Sequence, residues 1–331
     1  MTISDIAKMA GVSSAAVSRY FNNGYLSDEK KEAIRRVVEV TGYRPSIQAQ
    51  MLRTKKTKTI GVLIPRIDST SMSRVVGGIM DILDASGYRM ILGTTRNDTH
   101  KELEYLNVFN ENQVDGIIMA GTIFSATHRK AMKKVTVPLV VVGQEIAGFN
   151  CIFHDDYHAE YDLTKTFLDK GSRNFGYIGV TEKDRAVGEL RYKGFCDALK
   201  DAGLPEQRSN YVVAEFSRES SYEKMGELYA AHPELDTVIC ATDRLALGAY
   251  LWMRDHGIDN PGQIQIAGQG DSETSAVCNP PITTIRYFYK ESGEAAARRI
   301  IELIEEDDEH LKNITREVQL GFEIVDHIKA R

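Results

Sequence analysis

The sequence predicts two kinds of fold in one chain: a small all-α helix-turn-helix head and an α/β body of two doubly wound lobes. Three observations predict it. Three short, capped helical segments occupy the first 45 of 331 residues. From Thr59 onward, short apolar runs alternate with amphipathic stretches, and the series of runs occurs twice. Charge divides the chain at the same place: residues 1–58 carry eleven Lys and Arg against five Asp and Glu, and the remainder carries thirty against forty-two. At about 150 residues per domain, the length alone calls for two or three domains.

The bulk numbers exclude several classes. With 42% hydrophobic and 27% charged residues the chain reads as globular, and no apolar run approaches the ~20 residues a membrane span requires. The opening MTISDIAKMAG has neither the basic start nor the apolar core of a secretory signal, so a cytoplasmic setting is expected, with no membrane partner. Cys151, Cys196, Cys240 and Cys278 are widely spaced with no CxxC pair, which points to reduced thiols and to no metal site. No cofactor is expected. A basic head on an acidic body suits a polyanionic partner for the head.

In the head, Thr2 and Asp5 have the spacing of a capping box, opening a helix through Ile3, Ile6, Ala7 and Ala10 that Gly11 ends. Ser13 caps a second helix, Ser14 to Asn22, whose inner face is Val17 and Phe21. Ser27 caps a third, with Asp28 and Glu29 in the positive first turn, a stripe of Ile34, Val37 and Val38, and a stop at Gly42. A tight turn between the first two helices makes this a helix-turn-helix layout. Ser14, Ala15, Ser18 and Arg19 lie off the Val17/Phe21 face; small residues let a helix approach a groove floor, and Arg19 suits a guanine edge or a phosphate.

The stretches DIAKMAGVSSAAVSRYFNN and SDEKKEAIRRVVEVTGYRPSIQAQMLR resemble the DNA-binding head of the lactose-repressor (LacI/GalR) family. The resemblance implies a DNA-facing set of Ser13, Ser14, Ala15, Ser18, Arg19 and Asn22, with Ser14 and Ala15 at the start of the recognition helix. It departs from the family at Ala16 (usually Thr), at Ser46 (usually Asn), and at the bulky Tyr20 and Phe21. After Pro45, residues 46–58 form an expected hinge helix and linker. There the resemblance places Leu52 as a wedge in the minor groove, with Ala49, Arg53 and Lys55 beside DNA and Lys56 and Lys58 as further phosphate contacts. So short a helix is unstable alone and is expected to form only when paired on DNA.

In the body, residues 60–65, 89–94, 115–121 and 138–143 read as one set of buried parallel strands, and residues 175–180, 210–216, 236–241 and 264–270 as a second. Two consecutive doubly wound units imply two lobes and a cleft between them. The body resembles the periplasmic-binding-protein fold of the same family. Lobe 1 is expected to take about 59–150 and 287–314, and lobe 2 about 151–286 and 315–331. Three crossings between lobes make a hinge. Ligands of such sheets sit beyond the carboxyl ends of the strands, which nominates Asp68, Ser71, Gln144, Phe153, Arg191, Phe216, Thr242, Asp243, Gln269 and Asp271 for effector binding. By resemblance, Arg191 and Asp243 are the strongest of these, and Phe153 and Phe216 are ring-stacking positions. Gly270–Asp271 stands where many sugar-binding members have two aspartates, leaving room for a larger sugar.

No phosphate loop, dinucleotide fingerprint or nucleophile elbow is present, so an enzyme is not expected. His154 and His158 are spaced i, i+4, but HDDYH lacks the glutamate of a zinc-protease motif and the pair reads as surface or cleft residues. A free sugar receptor does not fit the basic head. Purine sensing or global catabolite control by a member of the same family are the nearer alternatives. The reading favoured is a homodimeric repressor that binds a pseudo-palindromic operator in double-stranded DNA and is released by a sugar or sugar phosphate, with a sucrose-type disaccharide favoured. No heptad-bearing tail is seen, so a dimer rather than a tetramer is expected.

Overall fold

The structure, a computed structural model, describes residues 1–22, 24–43, 56–111, 114–204, 208–312 and 314–327. The chain folds as two units, Met1–Thr57 and Lys58–Arg331. No helix among the described residues is long and apolar enough to cross a membrane.

The first unit contains α1 (Ile3–Ala10), α2 (Ser14–Phe21) and α3 (Asp28–Thr41). The Thr2–Asp5 capping box forms in full, and Gly11 closes α1 at φ 67°, a left-handed conformation that costs glycine little. Ser13 caps α2 through a bond from the Ala16 amide at 3.2 Å. Ser27 stands at the N-cap of α3 with extended backbone, but its side chain makes no capping bond, contrary to expectation. Ile6, Ala7, Ala16, Val17 and Ile34 form the core, with Phe21, Leu26 and Tyr43 packed around it. Ala16 is buried, so the departure from threonine fills a core position. The expected hinge contacts Ala49, Leu52, Arg53 and Lys55 lie outside the described residues. Lys58 is a different case: its amide donates to Asp115 at 2.8 Å and its ammonium lies 4.0 Å from the Tyr88 ring centroid, which ties it to the body instead of to phosphate.

Among the described residues the body has two six-stranded sheets. The first runs through β1 (Thr59–Ile64), β2 (Arg89–Thr94), β3 (Gly116–Ala120), β4 (Leu139–Val142), β5 (Asn150–His154) and β11 (Glu317–Leu320), in the order β11-β5-β4-β3-β1-β2. The second comprises β6 (Phe175–Gly179), β7 (Tyr211–Val213), β8 (Thr237–Cys240), β9 (Gln265–Gln269), β10 (Thr283–Tyr287) and β12 (Phe322–Val325), in the order β12-β10-β9-β8-β6-β7. All pairs are parallel except β10 with β12. Central strands such as β1 are buried throughout, as helices on both faces require. The strands at 89–94 and 210–216 were expected to be buried as well. They are edge strands: Ile91 is 49% exposed, and the second shortens to Tyr211–Val213. An edge strand has one neighbour and half the cover.

Helices α4 (Thr70–Ala85), α5 (Thr99–Glu111), α6 (Ala126–Met132) and α12 (Tyr289–Glu305) clothe the first sheet. Ile60, Val62 and Ile64 face α4 and α12, while Leu63 faces α5. α4 and α12 cross at two glycines: a Cβ added to Gly78 would lie 2.0 Å from the Lys290 carbonyl oxygen, and one added to Gly293 would lie 2.0 Å from that of Val75. Helices α7 (Asp156–Asp169), α8 (Arg191–Asp201), α9 (Arg218–Ala231) and α10 (Asp243–Asp255) clothe the second sheet around one continuous core, and short α11 (Glu273–Val277) follows β9.

The crossings fall later than expected. β5 belongs to the first sheet, so the chain leaves lobe 1 after His154 and not at residue 150. It returns between β10 and α12, close to the expected residue 287. β11 also pairs in the first sheet, so the third crossing is at Gly321 and not at residue 314. Backbone pairing, which the apolar pattern does not report, decides both points.

Candidate DNA-facing helix and effector cavity

On α2, Ser14, Ala15, Arg19 and Asn22 are exposed, Ser18 is half-buried, and Ala16 and Val17 are sealed inside. No acidic residue occupies the first turn, so the positive end of the helix dipole is unopposed there. The Ser13 hydroxyl is taken up by its cap, and the Asn22 amide donates back to the Ser18 carbonyl. Ser14, Ala15 and Arg19 remain as the outward-facing edge of the helix.

A cavity of about 440 Å³ opens between the lobes, within the size range of small-molecule sites. Of the residues nominated from sequence, Ser71, Gln144, Arg191, Phe216, Thr242, Asp243 and Gln269 line it. Arg191 is 4% exposed and sits at the start of α8; it donates from Nε to Asp156 Oδ1 at 2.7 Å and also to the Ala241 carbonyl. Its guanidinium lies 4.8 Å from the Tyr287 ring centroid. Asp243, the first residue of α10, accepts from the Ser272 amide at 2.7 Å and from Thr284 Oγ1 at 2.6 Å. Burial raises its carboxyl above the ordinary carboxylate range. Thr242 caps the same helix. Ser71 Oγ is 2.9 Å from Ser69 Oγ. Gln144 donates to the Thr122 carbonyl at 2.7 Å and, across the cleft, to Asp184 Oδ1 at 3.1 Å.

Three nominations do not line the cavity. Phe153 packs with Cys151 on the α5 side of its sheet, because alternate residues of a strand face opposite ways; the neighbouring His154 lines the cavity instead. Asp68 is drawn to the rim, where Arg66 donates to it at 3.0 Å and Arg244 of the other lobe at 3.1 Å. The bond from Arg66 holds its carboxyl well below the ordinary range. Asp271 turns outward at φ 43°, accepting from Arg286 Nε at 2.6 Å. Gln269 reaches the cavity wall, yet its side chain is spent inward: it donates to Glu160 and accepts from the Tyr287 hydroxyl.

Residues not nominated complete the site. Asp156, Asp184, His154 and Tyr289 line the walls, and Arg66, Arg218 and Arg244 lie at the mouth. Arg66 donates across to the Phe216 carbonyl, and Arg74 to the carbonyls of Gly270 at 3.1 Å and Asp271 at 2.7 Å, so bonds between lobes rim the cleft. Arg185 adds a further cross-lobe pair with Glu145 at 3.1 Å. Burial pushes the Asp184 carboxyl up to about 7 and that of Glu160, wholly enclosed behind Gln269, up to about 8.

Both carboxyls therefore fold best when protonated. Their contribution is complete below the ordinary carboxylate range and is lost as pH rises through about 7 to 8. Glu160→Gln, which cannot ionise, is expected to flatten the decline of Tm across that range in a thermal melt. An unchanged slope would show that Glu160 is not the titrating group.

Residues 164–321 match a periplasmic-binding-protein-like domain, and residues 2–46 match the bacterial regulatory proteins of the lacI family. The sucrose operon repressor of Staphylococcus xylosus is 30% identical over 303 residues, 92% of this chain and 93% of that one. Catabolite control protein A of Priestia megaterium is 30% identical over 302 residues, 90% of this chain and 91% of that one. Among solved structures, the lac repressor dimer bound to operator and the anti-inducer ONPF superposes with a TM-score of 0.88 at 20% identity, covering 98% of each chain, a likeness of fold. Fold and cavity thus define a two-lobed, periplasmic-binding-type ligand body carried in one chain with a helix-turn-helix head. The chain belongs to the lacI family of bacterial regulatory proteins. It is a transcription regulator with a DNA-binding head.

Proposed function

We propose that this chain is a homodimeric repressor of a carbohydrate-utilisation operon, released from a pseudo-palindromic operator when a sugar fills the cavity, with a sucrose-type disaccharide favoured. The buried Arg191–Asp156 pair carries the reading: it is a planar, fixed hydrogen-bonding group in a cavity of ligand size, suited to the paired hydroxyls of a sugar. Phe216 and Tyr289 remain as aromatic faces in the cavity, so the hydrogen-bonding groups and not the rings favour a sugar over a purine. The similarity to a sucrose operon repressor favours the same ligand class. The likeness in fold to a lac repressor dimer bound to operator supports a second copy. Two heads held together match a two-fold operator. By linkage, operator and effector then weaken each other, typically by about 1–3 kcal/mol.

The test is a gel shift on DNA upstream of the gene itself, with sucrose, sucrose 6-phosphate and hypoxanthine added in turn. Release by either sugar supports the reading; release by the purine alone overturns the ligand class. Arg19→Ala is expected to cost about 1–3 kcal/mol on the specific duplex and less on a scrambled one, read by fluorescence anisotropy. Equal loss on both would remove Arg19 from base reading. A monomer in sedimentation would sink the dimeric scheme.

A further inference from the structure

Three stretches of backbone join the lobes: 154–156, 287–289 and 320–322. All three meet at His154. Leu320 is its register partner across β5 and β11, and the Leu320 carbonyl accepts from the Asp155 amide at 3.0 Å. Tyr287 and Tyr289, at either end of the second connection, place their rings 5.1 Å and 5.2 Å from that of His154. The histidine is 6% exposed. The Phe288 backbone stands beside its ring, and its Nε2 is buried with no partner. An enclosed Nε2 with no acceptor beside it disfavours the doubly protonated ring, which needs an acceptor at each nitrogen.

We propose that His154 is the positioning residue of the inter-lobe hinge, and that the lobes take this arrangement only around its neutral ring. A proton on Nε2 would create a donor with no acceptor, enclosed between two tyrosines. The charged groups that face it are Asp156 and Arg191 from lobe 2 and Glu291 from α12. Asp156 is already engaged by Arg191, whose own charge repels an imidazolium. Asp155, next in the chain, is turned to His158 at 2.8 Å. Tyr287 and Tyr289 are held uncharged by the same burial. Parting the lobes would let water reach Nε2 and would restore ordinary imidazole titration near 6.5. One unit below that value, at about pH 5.5, this arrangement should therefore be less populated against the open one than at about pH 8, by up to about tenfold. The inference stands on the hinge and holds whatever fills the cavity.

Hydrogen-exchange mass spectrometry of the full chain tests it, following peptides over the three connections and correcting for intrinsic exchange. After that correction the wild type is expected to exchange faster there at about pH 5.5 than at about pH 8, by up to about tenfold. His154→Phe keeps a ring and has nothing to titrate, so its protection should not change with pH. His154→Asn, which keeps a polar group beside Phe288 and lacks Nε2, should behave as His154→Phe does, and it serves if the phenylalanine variant fails to fold. Asp184 and Glu160 bind protons on acidification and so tighten the body, which makes any loosening diagnostic. Unchanged wild-type protection, or loss shared equally by both variants, would overturn the proposal.

Discussion

Replacing Arg191 by alanine is expected to cost about 3–5 kcal/mol of folding stability and to abolish release of DNA by effector. Both effects follow from Asp156, which is 4% exposed and would be left charged and unpaired in the cavity wall. The Ala241 carbonyl would also lose its donor, and Tyr287 the cation beside its ring. Urea denaturation reads the first effect and gel shifts with sugar the second. Arg191→Met combined with Asp156→Asn separates them. Without a buried charge the double variant should regain much of the stability, yet it presents no paired donors to a ligand and should stay bound to operator. A single variant that responds normally would move the recognition site elsewhere.

Gly293→Ala is expected to destabilise the body by about 3 kcal/mol, at the upper end of ordinary overpacking. Its new methyl would meet the Val75 carbonyl oxygen at 2.0 Å, and backbone on both sides leaves nothing flexible to give way. α4 and α12 would have to separate, parting Val75 and Ile79 from Ala296, Ala297 and Ile300. Gly77→Ala, on the partner helix α4, is the control. Nothing lies within 4 Å of its added methyl, so helix propensity should leave it neutral or up to about 1 kcal/mol more stable. Thermal melts of the two variants should diverge in opposite directions; a small, equal shift in both would show that the helix crossing adapts.

The head was legible because its signals are local. Thr2 with Asp5, Gly11 and Ser13 each act within four residues, and each forms the expected cap or stop. Central strands were legible as apolar runs, since burial on both faces leaves no other composition for them. That same two-sided burial hid which way a side chain faces. In residues 150–154 both faces are enclosed, so no polar alternation distinguishes Phe153 from His154, and the nomination fell one residue short of the cavity. Asp156 and Asp184 went unnoticed because their partners are distant: Arg191 lies 35 residues from Asp156, and Gln144 lies 40 from Asp184. Asp271 was nominated on its proximity to a strand end, but its backbone twist and its ion pair with Arg286 aim it outward.

The interleaving of the two sheets also bears on how the protein emerges from a ribosome. Strands β6 to β10 are contiguous, so the centre of lobe 2 can assemble once about residue 287 has been made. Lobe 1 must wait, although its first strands are synthesised earlier. The face that α4 shares with α12 stays half-covered until α12 is delivered, and the β5 edge stays open until β11 arrives. Domains usually mature in the order of translation; here the earlier-born lobe closes only after the centre of the later one, and a nascent chain stalled before residue 289 would present a partly covered apolar sheet to chaperones.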